Sequence, residues 1–443
     1  HMQYKNSKKI SFTASSVKKE FSSEQLTSYS GLSVTSDFIN HCGIYRRLEH
    51  LFPTTRHNAS RFSTAQILSS VLLASLCGVH RLKRIENFTF DALVSRLLKL
   101  PKNIDEDTIR RHLTGLGERG ARSLHELLLG FTGMQVSHCG LSRLTLDCDS
   151  STFTVYGNQQ GAEVGYNSHK KGAKSYHPIL CFVTEMKLLV NSWLRPGSSY
   201  TSNGVCEFVK ETLAALPQKV EKVFFRADSG FFNGGLFNLL EDGKHEYLVK
   251  VKLKNLKDLL AGQTWQPVDP RTATCRFIHQ CSGWRNPRMF YAVRIIKQMV
   301  EVDYFGEKQF VPEYEYFCYC SNLKGLDALQ LHTLYGSRSE SENWIEQTKN
   351  SLCAGKTITH DFWVNDILWQ LSSFAYSLSV LMRYRGDFWV WRQEHSTFRE
   401  WFIRVPGKVV KSGRQVTVKM PKEYYRKAGW RDFEQRITTT MTG

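Results

Sequence analysis

Strand-like sequence begins at LSRLTLDCDSSTFTVYG, residues 141–157. Apolar and polar residues alternate in this stretch and β-branched residues are frequent, which is typical of a strand with one buried face. Such a strand places Leu144 and Leu146 on one face and Asp147 and Asp149 on the other. The sequence therefore predicts two acidic side chains on the same face of one strand.

The segments that follow predict an α/β sheet. YHPILCFVT and KLLVNSWL have the pattern of a second and a third strand, and a helix is expected over 204–216. KVFFRAD predicts a fourth strand that ends in Asp228, and EYLVKVK a fifth after another helix. This order is that of a ribonuclease-H-like sheet. In that sheet the first and fourth strands are neighbours, so the carboxylates of Asp149 and Asp228 are expected to meet.

The chain before this sheet is predicted to be helical. Residues 1–30 are rich in Ser, Lys and Thr without a sustained period, which indicates a flexible basic arm. Over 31–140 the apolar residues have helical spacing. One helix is expected over 90–98, ending before Pro101, and a new one begins at Asp105, where acidic residues suit the helix dipole.

Helix, break and helix is the outline of a helix-turn-helix. In that interpretation Thr108, Arg110 and Arg111 face a DNA groove, and 31–140 forms a helical DNA-end-binding region. A plain helical hairpin with solvated arginines explains the same residues equally well, so both interpretations stay open.

The catalytic core is expected in two parts, 141–252 and 323–385. Between them 253–322 is strand-like again and predicts a β-rich insertion. The last segment, 386–443, is predicted to be a basic region for DNA contact or dimerisation. Its final part, 401–443, holds ten Lys and Arg against three Asp and Glu, an excess that attracts phosphate.

The composition points to a polyanionic partner. Lys and Arg number 59 against 41 Asp and Glu, a net charge of +18, which makes nucleic acid the leading candidate. The cysteines number 11, an odd count without a C-x-x-C pair, which argues against a disulfide framework or a thiolate zinc site. No apolar run is long enough to cross a membrane and no signal peptide is recognisable, so a cytoplasmic location is expected.

A third acidic residue favours a catalytic role for the two strand-end aspartates. Alone, Asp149 could be a turn former and Asp228 a helix cap. In LYGSRSESENWIEQTKN, however, Tyr335, Arg338, Glu342 and Lys349 have the spacing Y-x2-R-x3-E-x6-K. On a helix, residues seven apart share a face, so Glu342 and Lys349 can present a carboxylate and an ammonium to one DNA strand.

Three carboxylates gathered by a fold suit Mg²⁺, which prefers oxygen ligands. Two such ions about 3.5 to 4 Å apart can activate a nucleophile and stabilise the leaving oxygen in phosphodiester transfer. We therefore predict Asp149, Asp228 and Glu342 as catalytic residues and as ligands of two Mg²⁺ ions, with Mn²⁺ able to replace them. Asp147 would be a neighbour that contacts the second metal or only donates or accepts a hydrogen bond.

At these motifs the chain resembles bacterial insertion-sequence transposases of the DDE type. The resemblance is to the branch that carries the tyrosine, arginine, glutamate and lysine signature, and to its subfamily with a D-x-D-S/T first motif. YGNQQGAEVGYN, FRADSGFF and HDFWVNDILWQLSSFAYSLSVL agree with that subfamily, and the resemblance covers roughly residues 105–420. The Ser that follows Asp149 favours it over Asp147 as the catalytic acid.

The resemblance implies cut-and-paste DNA transposition. Such an enzyme binds the terminal inverted repeats of its element, cleaves the ends by two-metal hydrolysis, in related enzymes through a hairpin, and transfers the 3′ ends into target DNA. A homodimer in a synaptic complex on double-stranded DNA, associated with the bacterial nucleoid, is expected. Two alternatives remain: a catalytically retired DNA-binding protein, and a ribonuclease-H-like nuclease without strand transfer.

The resemblance also implies DNA contacts. Tyr335, Arg338 and Lys349 would bind phosphates near the scissile bond. An aromatic residue of the insertion would stack on an extruded base. We choose Trp284 for that role, although a core tryptophan explains it equally well. Lys170 and Lys171, beside the expected site, would follow the DNA backbone or simply belong to a solvated loop.

Overall fold

The computed structural model describes residues 18–53, 61–165, 167, 170–199, 204–352 and 359–442. They form a mixed α/β structure built around one large sheet. No helix in these ranges has the length and apolar character needed to cross a membrane.

The first part of the chain is mainly helical. Its elements are β1 (Leu26–Thr27), α1 (Leu32–His41), α2 (Ile44–Leu51), α3 (Thr64–Leu76), α4 (Leu82–Phe90), α5 (Ala92–Leu97) and α6 (Glu106–His138). The single helix expected over 90–98 is wrong, because Asp91 ends α4 and its carboxylate caps the first amides of α5. Asp105 caps α6, and the left-handed φ of 51° at Gly117 kinks that helix.

The central part alternates strands and helices. Its elements are β2 (Arg143–Ser150), β3 (Phe153–Thr154), β4 (Glu163–Val164), β5 (Lys174–Tyr176), β6 (Ile179–Val183), β7 (Leu188–Trp193), α7 (Val205–Ala215), β8 (Lys222–Ala227), α8 (Gly234–Asp242) and β9 (Glu246–Lys250). β2 pairs antiparallel with β6 and parallel with β8, and β8 pairs parallel with β9. The predicted adjacency of the first and fourth strands is confirmed.

Residues 253–322 extend this sheet. They contain α9 (Leu256–Ala261), β10 (Gln266–Pro267), β11 (Thr272–His279), β12 (Arg288–Tyr304) and β13 (Glu307–Ser321). β13 pairs antiparallel with β9, so that the described sheet runs in the order β10, β11, β12, β13, β9, β8, β2, β6, β7. The segment predicted as a β-rich insertion thus shares backbone hydrogen bonds with the core strands.

The last part returns to helices and ends in a small sheet. It comprises α10 (Ala328–Gly336), α11 (Ser339–Glu346), α12 (Phe362–Arg385), α13 (Phe388–Trp391), α14 (His395–Phe398), β14 (Gly407–Ser412), β15 (Gln415–Lys419) and α15 (Lys427–Thr442). β1 pairs antiparallel with β14, next to β15. Part of the predicted flexible arm is therefore paired in a strand, and its residues 1–17 lie outside the described ranges.

Two long helices cover β7, at one edge of the large sheet. In α12 the hydroxyl of Ser377 donates to the carbonyl of Leu189 at 2.9 Å, and that of Tyr376 to the carbonyl of Lys187 at 3.0 Å. Phe131 of α6 packs on Phe374 of α12, with ring centroids 5.0 Å apart. The hydroxyl-rich sequence of α12 thus satisfies strand carbonyls that would otherwise be buried without partners.

A buried ion pair joins β2 to β8. Arg226 donates through Nε to Asp147 Oδ1 at 2.7 Å and through Nη2 to Oδ2 at 2.8 Å. Thr184 donates to the same carboxylate at 2.9 Å. Asp147 is completely buried and Arg226 is 3% exposed. The Asp147 carboxylate thus accepts three hydrogen bonds from side chains of the fold.

We predict that Asp147→Ala lowers the free energy of unfolding by about 3–5 kcal/mol, because it leaves a buried guanidinium without its counter-charge. The control is Arg143→Ala on the same strand, β2, which removes the ion pair between the exposed Arg143 and Glu246 of β9. Glu246 keeps Lys222 as a partner, so this variant should cost less than about 1 kcal/mol. Urea unfolding followed by circular dichroism measures both. Equal losses for the two variants would contradict a special role for the buried pair.

Candidate active site

The register of β2 and β8 brings two acidic residues together. Cys148 of β2 is paired with Ala227 of β8 in a parallel ladder. The next residues are Asp149, the penultimate residue of β2, and Asp228, which directly follows β8, so both acids lie at the carboxyl ends of neighbouring strands. The carboxylate of Asp228 also accepts from the amide of Gly230 at 3.0 Å and caps the following turn. The capping role considered for Asp228 is thus present, and it leaves the other carboxylate oxygen for further contacts.

The α10–α11 corner is held against these strands by Arg226. Its Nη1 donates to the carbonyl of Leu334 at 2.8 Å and to Ser337 Oγ at 2.6 Å. Arg338 follows directly and is 6% exposed. Since the other side of the Arg226 guanidinium binds Asp147, one side chain fixes both the strand pair and the helical corner.

Arg338 lies between two of the predicted catalytic acids. Its Nη1 is 3.2 Å from Asp149 Oδ2 and 3.9 Å from Glu342 Oε1. The Glu342 side chain is 70% exposed, whereas that of Asp149 is 9% exposed. Glu342 therefore has freedom to change rotamer, while Asp149 is fixed.

The electrostatics couple all three acids. Burial raises the pKa of Asp149 to about 7; Arg338 opposes that rise, and the charges of Asp228 and Glu342 add to it. Burial alone would lower the pKa of Arg338, but the attraction of Asp149, together with Tyr335 and Asp228, raises it. The Arg338 guanidinium thus interacts with more than one acidic side chain, and the most buried of these, Asp149, resists ionisation.

Tyr335 and Lys349 flank the acids in different ways. The Tyr335 ring packs on Tyr319, with centroids 4.8 Å apart, and its centroid lies 5.6 Å from the Arg338 guanidinium carbon. Lys349 Nζ donates to Ser151 Oγ and to the carbonyl of Thr152, both at 2.9 Å. All four residues of the Y-x2-R-x3-E-x6-K pattern therefore lie near the end of β2.

The predicted metal ligands have suitable chemistry, but their carboxylates are not gathered around one point. Asp149, Asp228 and Glu342 offer the carboxylate oxygens that Mg²⁺ prefers. Across the described ranges, no three His, Cys, Asp or Glu side chains are close enough to form a ligand cluster. Arg338 stands where Asp149 and Glu342 would converge, so its displacement and a rotation of Glu342 are needed for the acids to share an ion.

The predicted DNA contacts outside this cluster differ in exposure. Arg110 is exposed and paired with Glu106 at 2.6 Å. Arg111, also exposed, donates to Thr108 Oγ1 at 3.2 Å. Thr108 is itself 8% exposed and bonded to Asp105, so its assignment as a groove-facing residue is wrong.

Lys170 and Lys171 are exposed, and the Lys170 ammonium lies 5.0 Å from the centroid of the Tyr156 ring. Trp284 is only partly exposed and packs against Phe232, with centroids 5.2 Å apart, and under Arg288 at 4.9 Å. These contacts match the core alternative for Trp284, and stacking on a base would require the ring to leave them.

Arg226 is the residue that the sequence reasoning missed. The strand sequence KVFFRAD could have indicated it, because a charged residue in an otherwise apolar strand needs a counter-charge when it is buried. Gln347 is a second one: its Oε1 accepts from the backbone amide of His395 at 3.1 Å. The His395 imidazole bonds to Ser379 and to the carbonyl of Leu76, so the turn that carries Lys349 is tied to the helical core.

Comparison with known proteins assigns the family. The sequence model described as "Transposase DDE domain group 1" matches residues 10–442. The chain therefore belongs to the DDE transposases, as the sequence motifs predicted. No curated protein matches it.

Two solved transposase structures are similar to the chain. One is a piggyBac transposase synaptic complex with hairpin DNA, with 12% identity, a TM-score of 0.42, and coverage of 84% of this chain and 79% of the other. The second is the Mos1 transposase paired-end complex with left transposon end, with 12% identity and a TM-score of 0.18 over 42% of this chain and 58% of the other.

The pKa of Asp149 leads to a pH prediction. Since its folded value of about 7 lies above the ordinary 3.8, stability from the protonated acid is full below pH 4 and is lost as pH rises through 7. Asp149→Asn removes this titration but also takes away the charged partner of the buried Arg338. The urea midpoint of the parent minus that of the variant should therefore fall between pH 4.5 and pH 8, on top of a cost that does not depend on the ionisation of Asp149.

This comparison requires EDTA, so that bound cations do not contribute. Glu340→Gln, an exposed acid on α11, is the control and should match the parent at both pH values. If Asp149→Asn destabilises the chain equally at both, the ionised form of Asp149 is not disfavoured by the fold.

Proposed function

We propose that this chain catalyses cut-and-paste DNA transposition with Asp149, Asp228 and Glu342 as its catalytic acids. The observation that carries the proposal is the placement of Asp149 and Asp228 at the ends of adjacent parallel strands. Arg338 lies between Asp149 and Glu342 and is within ion-pair distance of both. Membership of the DDE transposase family supports it. The terminal inverted repeats of the element would be the substrate and a second duplex the target.

The same strands support a ribonuclease-H-like core. Three antiparallel strands, β7, β6 and β2, are followed in the sheet by the parallel β8 and β9. This gives the order 3-2-1-4-5 in chain numbering of the five strands, with helices in the β7–β8 and β8–β9 connections. The first and fourth strands carry acids at their ends, which is the arrangement that the sequence pattern favoured.

Asp149, Asp228 and Glu342 would hold two Mg²⁺ ions, or Mn²⁺ in their place. When bound, such ions supply an activated nucleophilic oxygen and stabilise the leaving oxygen. Asp149 and Asp228 are preset by the sheet, whereas the exposed Glu342 would swing in from α11. The carboxylates then no longer need Arg338 as their counter-charge.

In this proposal Arg338 turns from Asp149 to a phosphate of the DNA end, because a guanidinium forms comparable paired hydrogen bonds with either group. Tyr335 supports it from the side, and Lys349 contacts a phosphate near the Ser151–Thr152 loop. Exposed Arg110, Arg111, Lys170 and Lys171 would add contacts to the DNA backbone. Two copies of the chain would hold the two ends in a synaptic complex.

We predict Mg²⁺-dependent cleavage of a duplex carrying the inverted repeat that flanks the coding sequence. Asp228→Ala and Glu342→Ala should each reduce nicking at least about a hundredfold, since each removes a carboxylate from the metal site. Glu340→Ala, on the exposed face of the same helix, should retain the parental rate. Gel analysis of end-labelled DNA measures the products.

The same reaction with a plasmid target distinguishes a transposase from a nuclease and from a catalytically retired DNA-binding protein. Joining of 3′ ends to the plasmid supports a transposase, whereas nicking without joining indicates a nuclease of the same fold. Binding of the repeat without nicking in Mg²⁺ or Mn²⁺ indicates a retired enzyme. Cleavage that persists in both acid variants would exclude the proposed catalytic residues.

A further inference from the structure

The hairpin of β12 and β13 continues well past the sheet. On one side, β12 pairs with β11 as far as Ile295. On the other side, β13 pairs with β9 only from Tyr319 onward. The two strands go on pairing with each other to Tyr304 and Glu307. We call residues 297–316 the ribbon. At about 3.3 Å per residue it projects roughly 30 Å, and no strand in the described ranges pairs with either of its edges.

The ribbon exposes apolar side chains along its length. Met299 is 51% exposed, Phe310 68% and Phe305, at the tip, fully. A two-stranded hairpin without a covering layer is marginally stable in water. Exposed apolar groups clustered on such an arm are typical of a surface that a partner covers.

The turn at the tip adds a second, independent observation. Phe305 has φ of 55° and Gly306 has φ of 91°. A two-residue turn with both φ positive favours Asn or Asp followed by Gly, and the left-handed conformation costs a residue such as Phe about 1 kcal/mol. A phenylalanine at this position is therefore poorly explained by the turn itself, and well explained by a contact that its ring makes with a partner.

The charge of the ribbon identifies the kind of partner. Residues 297–316 hold five acidic and two basic side chains, a net −3 in a chain of net +18. One of its two lysines, Lys308, is already paired with Glu301 at 2.7 Å. Such a surface repels DNA phosphate and attracts a basic protein surface. The rest of this same chain is strongly basic.

A matching surface lies on the β14–β15 hairpin. Lys411, Arg414 and Lys419 are exposed there, and none of them has an ion-pair partner within the described part of the chain. β15 is the outer strand of its sheet, and Val416 on it is 45% exposed. This hairpin thus offers positive charge, an open strand edge and an apolar side chain, the complement of each feature of the ribbon.

We propose that the ribbon of one copy docks on the β14–β15 hairpin of a second copy, and reciprocally, in a twofold dimer. In such a dimer each copy contributes the same two surfaces. The inference deepens the proposed function, which needs two copies to hold two DNA ends. It assigns the interface to acidic and apolar residues of the ribbon, leaving the other basic surfaces for DNA.

The test is a charge exchange between the two surfaces. One variant carries Glu307→Lys and Glu315→Lys on the ribbon, and another carries Lys411→Glu and Arg414→Glu on the hairpin. A control with Glu207→Lys and Glu221→Lys makes the same change in net charge as the ribbon variant, at exposed sites elsewhere. All are measured by sedimentation velocity, with and without a duplex carrying one inverted repeat.

We expect the parent and the control to dimerise, and each exchange variant alone to do so at least about tenfold more weakly. An equimolar mixture of the two variants should regain the parental dimer, because both contacts are then between opposite charges. A merely misfolded variant would not be rescued in this way, and equal thermal unfolding midpoints check the fold independently.

A parent that stays monomeric under both conditions overturns the inference, and so does a mixture that fails to regain the dimer. It also fails if the hairpin variant loses DNA binding while its dimerisation is unchanged, because the hairpin then belongs to DNA. Nicking of a single end is measured in parallel. If the mixture fails to dimerise but the parent still nicks DNA, only the dimer interface is contradicted. If the mixture dimerises but no protein nicks DNA, only the proposed reaction is contradicted.

Discussion

The buried ion pair between Asp147 and Arg226 is the constraint on which the site depends. Two hydrogen bonds join the residues across neighbouring strands, and the remaining guanidinium nitrogen reaches the end of α10. A buried charge with three sets of partners allows few alternative arrangements. The pair therefore reinforces the backbone pairing of β2 with β8 and fixes the α10–α11 corner, next to Arg338, against these strands.

The acids of the site are consequently organised in two ways. Asp149 and Asp228 are positioned by backbone pairing in the sheet, whereas Glu342 is carried on a helix and has an exposed side chain. Arg338 pairs with Asp149 in this arrangement, but burial still raises the pKa of Asp149, and the charges of Asp228 and Glu342 add to the rise. In the proposed function, the two fixed acids and the movable Glu342 would bind metal while Arg338 turns to a DNA phosphate.

The surroundings of the site form one continuous structure. Residues from α1 to α15 contribute to one large hydrophobic cluster, except for α10, which packs with β12 and β13 in a second cluster. Helices α6 and α12 together cover β7 at the edge of the sheet. Strands β10 to β13 extend the sheet on its other side. Segments that look like separate regions in the sequence thus share a core and a sheet, which gives the catalytic strands support on both sides. The ribbon is the part of this sheet that leaves the common core.

The sequence by itself determined the succession of strands along the chain, the acids near two strand ends and the Y-x2-R-x3-E-x6-K spacing, because alternation and residue spacing are local properties of the chain. The structure divides that pattern among α10, α11 and a π-helical turn, Gln347–Ser351, so Glu342 and Lys349 do not share one regular α-helix as expected. It also identified the family. Local patterns could not assign Asp147 to Arg226, place Arg338 between Asp149 and Glu342, or show that Trp284 packs under Arg288, since these partners lie far apart in sequence. Thr108 was misassigned for the same reason: helical spacing defines a face, but only tertiary packing decides whether that face is buried.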